Sequence, residues 1–163
     1  MEESVIKRNA AQAEKVRCKR DYLRGLFETT YFRDIIEHNH LRKSESLDEL
    51  CNILSSTTGE LLNADKIANT YRSVKKEKLD RETIERYIGY FTDAFILKEA
   101  KRYDVKGRKY FSFPSKYYCV DPGLRNARLN FRQVEESHLM ENIIYNELLR
   151  RGYSVDVGVV ADK

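Results

Sequence analysis

The feature that most constrains this chain is a change of hydrophobic period near residue 95. Before that point apolar residues recur at helical spacing, and after it they alternate as in a strand. Three helix starts precede the change, because Ser46 to Glu49 forms a capping box and Asn63 and Asp80 are good N-cap residues. The pattern predicts helices over residues 46–55, 63–74 and 80–95. The third helix should bury a stripe made of Ile84, Tyr87 or Ile88, Phe91 and Phe95.

Two short strands are predicted after the third helix. Residues 96–105 and 109–113 alternate around a Lys106-Gly107 turn, where glycine supplies the positive φ that a tight turn requires. Pro114 should interrupt the second strand because it has no backbone N–H, which leaves residues 117–120 as a further short strand. Three short helices followed by a hairpin is the order of a winged helix-turn-helix, and we place this fold at residues 44–118.

The flanking segments are predicted to be mainly helical. Residues 1–43 contain no proline and favour a helix, with a break near Thr29 to Tyr31, where helix propensity is lower. Residues 119–137 form a connector. Residues 138–151 predict a helix with Met140, Ile144 and Leu148 on one face and Gly152 at its end. Alternation over residues 153–159 predicts one more strand.

A single strand after a single helix cannot bury both of its faces. Residues 138–163 therefore either belong to an incomplete α/β element or complete their fold on another part of the molecule. The sequence leaves these two alternatives open. The predicted fold class is mainly α with a small β component.

Positive charge is concentrated on the predicted hairpin. The 163-residue chain has a formal net charge of +4. Residues 98–116 hold seven basic residues against two acidic ones, a local balance of +5, so the rest of the chain is close to neutral. The basic residues are Lys98, Lys101, Arg102, Lys106, Arg108, Lys109 and Lys116.

The hairpin is the best candidate for a binding site. Its cations could neutralise phosphates while the preceding helix enters the major groove of DNA. The simpler interpretation is a solvated hairpin whose charges discourage edge-to-edge pairing. The candidate DNA-binding residues are Lys101, Arg102, Lys106, Arg108 and Lys109 on the hairpin, and Arg81 and Arg86 on the outward face of the third helix.

The two arginines of the third helix are accompanied by acidic residues. Glu82 and Glu85 lie on the same outward face as Arg81 and Arg86, and carboxylates repel phosphate. This composition favours weak or non-specific DNA binding, or a protein partner, over a helix that reads sequence. Winged helices also serve as protein interaction modules.

The sequence predicts no catalytic site. Glu141, Asn142 and Glu147 could begin a metal site, but a spacing of six residues does not place the two glutamates on one helix face, and a capping or solvated glutamate is favoured. The histidines, His38, His40 and His138, do not form a ligand set. No glycine is followed by lysine, so a phosphate-binding P-loop is absent, and neither metal nor cofactor is expected.

The cysteine pattern and the hydropathy favour a cytoplasmic location. Three widely spaced cysteines without a CxxC pair suggest neither a disulfide framework nor a zinc site. No window approaches 18 consecutive apolar residues, and the first twenty residues are charged throughout. The chain is therefore expected to lack membrane spans and a secretory signal.

Several motifs together resemble a known family. They are Tyr31-Phe32-Arg33-Asp34-Ile35-Ile36, Ile84-x-x-Tyr87, Lys116-Tyr117-Tyr118-Cys119-Val120-Asp121-Pro122-Gly123-Leu124 and Glu141-Asn142-x-x-Tyr145-x-Glu147-Leu148. Over residues 20–160 the chain resembles the C-terminal half of prokaryotic AAA+-type ATPases that carry a domain of unknown function after the ATPase core. In that family a winged helix follows the ATPase core and precedes a restriction-endonuclease-like domain.

The resemblance implies that residues 116–124 form the junction between these two domains and that Glu141 lies on the first helix of the nuclease-like domain. ATP and Mg²⁺ would then bind only to the parent protein, outside this segment. The first hypothesis is an accessory region of the ATPase whose winged helix contacts DNA, with the remainder of the ATPase as a partner. The alternative is a protein or intramolecular docking module that regulates the ATPase. A third hypothesis is part of a metal-dependent nuclease.

Overall fold

The computed structural model describes residues 2–41, 45–75, 79–106, 109–132 and 135–159. Within them the chain is mainly helical and carries a small mixed sheet, which confirms the predicted fold class. The helices are α1 (Glu2–Leu26), α2 (Arg33–His38), α3 (Glu45–Ser56), α4 (Ala64–Thr70), α5 (Arg81–Asp93), α6 (Pro122–Arg128) and α7 (Glu136–Arg150). The strands are β1 (Leu61–Leu62), β2 (Leu97–Asp104), β3 (Lys109–Cys119) and β4 (Val157–Val159).

Helices α1 and α2 are joined by a π-helical turn, Phe27–Phe32. The predicted break near residue 30 therefore takes the form of wider winding within a continuous helical segment. Phe27 and Phe32 are buried in the core, and Leu23 packs at its edge. Residues 14–22 of α1 are exposed, whereas Leu23 and Leu26, near the C-terminal end of this helix, pack against the core.

Helices α3, α4 and α5 form the centre of the core, and the predicted caps of the last two are confirmed. The side chain of Asn63 accepts from the backbone N–H groups of Asp65 and Lys66 at 2.9 and 3.2 Å. The side chain of Asp80 accepts from the N–H of Thr83 at 2.7 Å. The first cap differs, because α3 begins at Glu45 and Ser46 lies within its first turn. A π-helical turn, Tyr71–Lys75, extends α4.

The buried stripe of α5 is shorter than predicted. Ile84, Ile88 and Phe91 are buried, whereas the side chain of Phe95 is 71% exposed. The helix ends at Asp93, and Phe95 adopts a left-handed φ of 55°. Its N–H donates to Thr92 O at 3.1 Å, which closes the helix end before another turn can form. The prediction that Phe95 continues the buried face is therefore wrong.

The sheet has the strand order β1-β3-β2-β4, and β2 and β3 form the predicted antiparallel hairpin. The prediction that Pro114 interrupts the second strand is wrong, because β3 runs from Lys109 to Cys119 as one strand, although its pairing with β2 is irregular there. The register shifts from Ala100 opposite Lys116 to Arg102 opposite Phe111, so residues 112–115 bulge opposite a single residue of β2. A proline within a bulge breaks no hydrogen bond of the ladder.

The last helix and strand return to the hairpin. Helix α7 ends as predicted at Gly152, whose φ is 84°. Of the strand predicted over residues 153–159, only β4 is extended, and it pairs in parallel with β2, with Arg102 opposite Val157. The segment predicted as a connector contains α6, whose N-cap is Asp121. Within the described residues, β4 thus pairs with another part of the molecule, the β2–β3 hairpin.

Candidate nucleic-acid interface

The basic residues of the hairpin differ in exposure. Lys98 and Lys101 are exposed, Arg102 is half-buried, and Lys106 is exposed just beyond the strand. The backbone N–H of Lys106 donates to the carboxylate of Asp104 at 3.1 Å, which fixes the start of the turn. Arg108 and Gly107 lie outside the described residues, and only the backbone of Lys109 is described.

The tip of the hairpin is braced by the segment that leads into β4. Tyr110 Oη donates to Asp156 Oδ2 at 2.9 Å, and this bond raises the pKa of Tyr110 above its ordinary value. The rings of Tyr103 and Tyr110 lie with their centroids 5.0 Å apart across the two strands. Asp156 therefore adds a carboxylate beside the basic hairpin, and the hairpin tip is held by three elements instead of two.

Arg81 on helix α5 is already ion-paired. Its Nε lies 2.6 Å from Glu85 Oε1, and its Nη1 lies 3.2 Å from Asp65 Oδ2. The hydrogen bond and charge of Glu85, with the charge of Asp65, raise the pKa of Arg81. Arg86 donates to Thr83 Oγ1 at 3.1 Å. A phosphate at Arg81 would compete with two carboxylates, one of which, Asp65, comes from another helix.

Helix α7 is docked on β3 through polar contacts that sequence reasoning did not identify. Asn142 is buried and hydrogen-bonds both the N–H and the carbonyl of Cys119, each at 2.8 Å. The rings of Tyr118 and Tyr145 stack with centroids 4.0 Å apart. The docked face of α7 is therefore the one that contains Asn142 and Tyr145, and Met140 and Ile144 are exposed on another.

Glu141 belongs to this seam between α7 and β3. Its Oε1 accepts from Lys116 Nζ at 2.7 Å and from Tyr118 Oη at 2.6 Å. Partial burial favours the protonated form, but these two hydrogen bonds outweigh it and lower the pKa of Glu141. Glu147 instead pairs with Arg150 and Arg151, whose hydrogen bonds lower its pKa to about 2. The two glutamates thus have separate cationic partners.

One cluster of metal-binding groups occurs within the described part of the chain. It consists of Glu60, Glu135 and His138, each of which offers one ligand atom within 4.8 Å of the others. Glu60 lies far from the other two in sequence, which is why inspection of the histidines alone could not find the cluster. His38 and His40 are not part of it.

Arg128 has a largely buried side chain near the N-terminal helices. Its side chain is 7% exposed, lies over the rings of Phe27 and Phe32, and pairs with Glu28 and with Asp48, whose Oδ1 is 2.6 Å from Nη2. A cleft of about 520 Å³ borders this group. Arg128 therefore ties α6 to α3 and to the π-helical turn.

The described residues thus define a mainly helical domain with a mixed four-stranded sheet, a basic hairpin and a docked final helix. Residues 7–135 match the family described as Domain of unknown function (DUF8612), and the chain belongs to that family. No solved structure matches it. No helix among the residues described is both long enough and apolar enough to cross a membrane.

Two curated relatives are similar to most of the chain. An uncharacterized protein of Haemophilus influenzae is 34% identical over 145 residues, which cover 89% of this chain and 36% of that protein. An uncharacterized protein of Methanocaldococcus jannaschii is 30% identical over 135 residues, which cover 83% of this chain and 30% of that protein. The chain therefore spans about a third of the length of these relatives.

Proposed function

We propose that residues 44–118 are a winged helix-turn-helix that contacts duplex DNA through the β2–β3 hairpin. The element order supports this proposal: α3, β1, α4 and α5 are followed by β2 and β3, and β1 pairs with β3 at Leu61 opposite Lys116. Helix α5 then takes the position of the second helix of the helix-turn-helix. The hairpin takes the position of the wing.

The observation that carries the proposal is the exposure of Lys98, Lys101 and Lys106 along one strand and its turn. Cations on a protruding hairpin neutralise phosphates and release counterions, which yields affinity without sequence preference. Helix α5 adds little to this contact, because Arg81 is held by Glu85 and Asp65. We therefore expect backbone contacts to dominate, with weak readout of bases.

The broader context of this proposal is the C-terminal region of a AAA+-type ATPase. The resemblance in residues 20–160 motivates it, and the greater length of the relatives leaves room for an ATPase core elsewhere in such proteins. In this proposal ATP and Mg²⁺ bind to that core, and the remainder of the ATPase is a partner of this domain. Helix α7 would then open a restriction-endonuclease-like domain.

A second candidate function, docking of the remainder of the parent protein, has its own observation. Met140, Ile143, Ile144 and Tyr153 are 52 to 62% exposed and lie on or just after α7. A contiguous exposed apolar face of this kind favours a protein contact. In this alternative the domain regulates the ATPase through contact and not through DNA.

A salt series of DNA-binding titrations tests the first proposal. Fluorescence anisotropy with a labelled duplex is measured for the unchanged protein and for the double variant Lys101→Ala, Lys106→Ala. If each lysine meets a phosphate, the slope of log affinity against log salt should fall by about 2 units. The matched control is Lys15→Ala, Lys19→Ala, which removes the same charge from α1.

The control variant should retain the original slope. If duplex binding is undetectable at low salt, or if the hairpin and the control variants change the slope equally, the DNA proposal is wrong. Binding of the isolated remainder of the parent protein, abolished by Ile144→Asp, would then support the docking function.

A further inference from the structure

The turn after α3 brings Glu60 to the start of α7. Gly59 has a left-handed φ of 79°, and its N–H donates to Tyr117 O at 2.9 Å. The N–H of Glu60 donates to Thr57 O, also at 2.9 Å. These two hydrogen bonds fix the backbone of Glu60 against β3.

Helix α7 supplies the other two members of the cluster. Glu135 is the N-cap residue of α7, and His138 lies in its first turn. One ligand atom from each of Glu60, Glu135 and His138 lies within 4.8 Å of the other two. All three side chains are thus carried by backbone that is already fixed by regular structure or by hydrogen bonds.

The imidazole of His138 is available for coordination. Its Nε2 lies 3.6 Å from Glu135 Oε2, beyond hydrogen-bond distance. Its Nδ1 is buried and has no hydrogen-bond partner among the residues that the structure describes. Nδ1 lies beside Gly59, so Nε2, the nitrogen on the side of Glu135, is the one that would coordinate an ion.

We propose that Glu60, Glu135 and His138 bind a first-row divalent metal ion, with Zn²⁺ as the best match. Imidazole nitrogen with carboxylate oxygens is a ligand set that zinc accepts, whereas Mg²⁺ prefers oxygen alone. Zinc–ligand bonds are about 2.0 to 2.2 Å long, and ligand atoms within 4.8 Å of one another can reach a common ion through side-chain rotation. Three protein ligands leave a fourth position for water.

The bound ion ties the turn after α3 to the first turn of α7. This link lies beside the contact of Glu141 with Lys116 and Tyr118. It therefore adds a contact to the solvent side of the seam between α7 and β3. The ion also offsets the mutual repulsion of Glu60 and Glu135. Zinc should therefore raise the thermal stability of the protein and strengthen the docking of α7.

Calorimetric titration of the chelator-treated protein with ZnCl₂ tests this site. Cys18 is an exposed thiol that could also bind zinc, so all variants are made in a Cys18→Ser background. One zinc ion per chain is expected, with an accompanying rise in Tm. His138→Ala should weaken zinc binding at least tenfold, since loss of groups that merely orient a ligand already costs about 10- to 100-fold.

Glu60→Gln provides a second test, at an exposed position where a substitution should not disturb folding. This variant should also weaken zinc binding and reduce the zinc-dependent rise in Tm. His38→Ala is the matched control and should bind zinc as before. MgCl₂ should bind far more weakly than ZnCl₂. Absence of stoichiometric zinc binding, or unchanged affinity in both His138→Ala and Glu60→Gln, would overturn the proposal.

Discussion

The side-chain amide of Asn142 pairs with the backbone of Cys119 as a neighbouring strand would. Its Oδ1 accepts the N–H of Cys119, and its Nδ2 donates to the carbonyl of Cys119, both at 2.8 Å. Asn142 is buried, so both bonds are shielded from solvent. This pair fixes the position of α7 along β3.

Replacement of Asn142 by alanine should lower the free energy of unfolding by roughly 1–3 kcal/mol, because the buried N–H of Cys119 loses its side-chain partner while the carbonyl keeps the bond from Asn146. Urea denaturation followed by circular dichroism measures this change. Asn146→Ala is the control: Asn146 also donates to Cys119 O, at 2.9 Å, but it is less buried and Asn142 still satisfies that carbonyl. Equal destabilisation by both variants would contradict the assigned role of Asn142.

Arg128→Met should destabilise the protein by about 1–3 kcal/mol. Removal of a buried partner typically costs about 3–5 kcal/mol, but Glu28 and Asp48 are 39 and 37% exposed and can be hydrated, which reduces the cost. Addition of Glu28→Gln and Asp48→Asn to Arg128→Met should recover part of the loss, since no unpaired carboxylate remains. Chemical denaturation of the single and triple variants decides this, and a triple variant less stable than Arg128→Met would count against the ion-pair explanation.

The unfolding free energy should decrease as the pH rises above 9. Burial raises the pKa of Cys51 from 9.0 to about 12, so its thiol stays protonated in the folded protein while the unfolded chain ionises. The contribution of Cys51 to stability is complete below the pKa that its thiol has in the unfolded chain. It is lost as the pH rises toward the pKa of the thiol in the folded protein. For one such thiol the slope approaches about 1.4 kcal/mol per pH unit.

Urea denaturation between pH 8 and 11 tests this prediction. The unfolding free energy of Cys51→Ala should decline less steeply with pH than that of the unchanged protein. The variant lacks a thiol that stays protonated in the folded protein and ionises in the unfolded chain. The exposed Cys18 provides the comparison, and Cys18→Ala should leave the slope unchanged. An identical pH dependence for all three proteins would exclude this role for Cys51.

Phe95→Gly should stabilise the protein by roughly 1 kcal/mol. Phe95 has a left-handed φ of 55° and closes α5 at a position where glycine is usual. Its side chain is 71% exposed, so little apolar burial is lost on its removal. Phe95→Ala, which keeps a Cβ in the left-handed conformation, should not produce this gain. Thermal and urea unfolding measure both variants, and a net loss of stability in Phe95→Gly would show that the ring contributes more than the strain costs.

The sequence predicted the caps of α4 and α5 correctly, because a cap depends on residues that are close together in the chain. Asn63 and Asp80 cap their helices because their side chains reach N–H groups only two or three residues away. The end of α5 was misplaced because hydrophobic spacing continues through Phe95, whereas the chain turns to place Ile96 and Leu97 in the core. The bulge at Pro114 was not predicted either, since a register shift depends on both strands of the hairpin.

Features that join distant segments could not be predicted from spacing. The buried face of α7 contains Asn142, a polar residue whose burial makes sense only beside the backbone of Cys119. Arg128 and Glu28 are likewise a hundred residues apart. Of the candidate interface, the sequence located the exposed cations of β2 but not Asp65, which pairs with Arg81 from another helix.

The parallel pairing of β2 with β4 sets an order of events during folding. The β2–β3 hairpin closes through a short turn. The pairing of Arg102 with Val157 instead closes a loop that contains most of the C-terminal third of the chain. Closing a longer loop costs more chain entropy, and non-local pairings form more slowly than local ones. The hairpin should therefore form early with one open edge, and β4 should add late, after α7 has settled on β3.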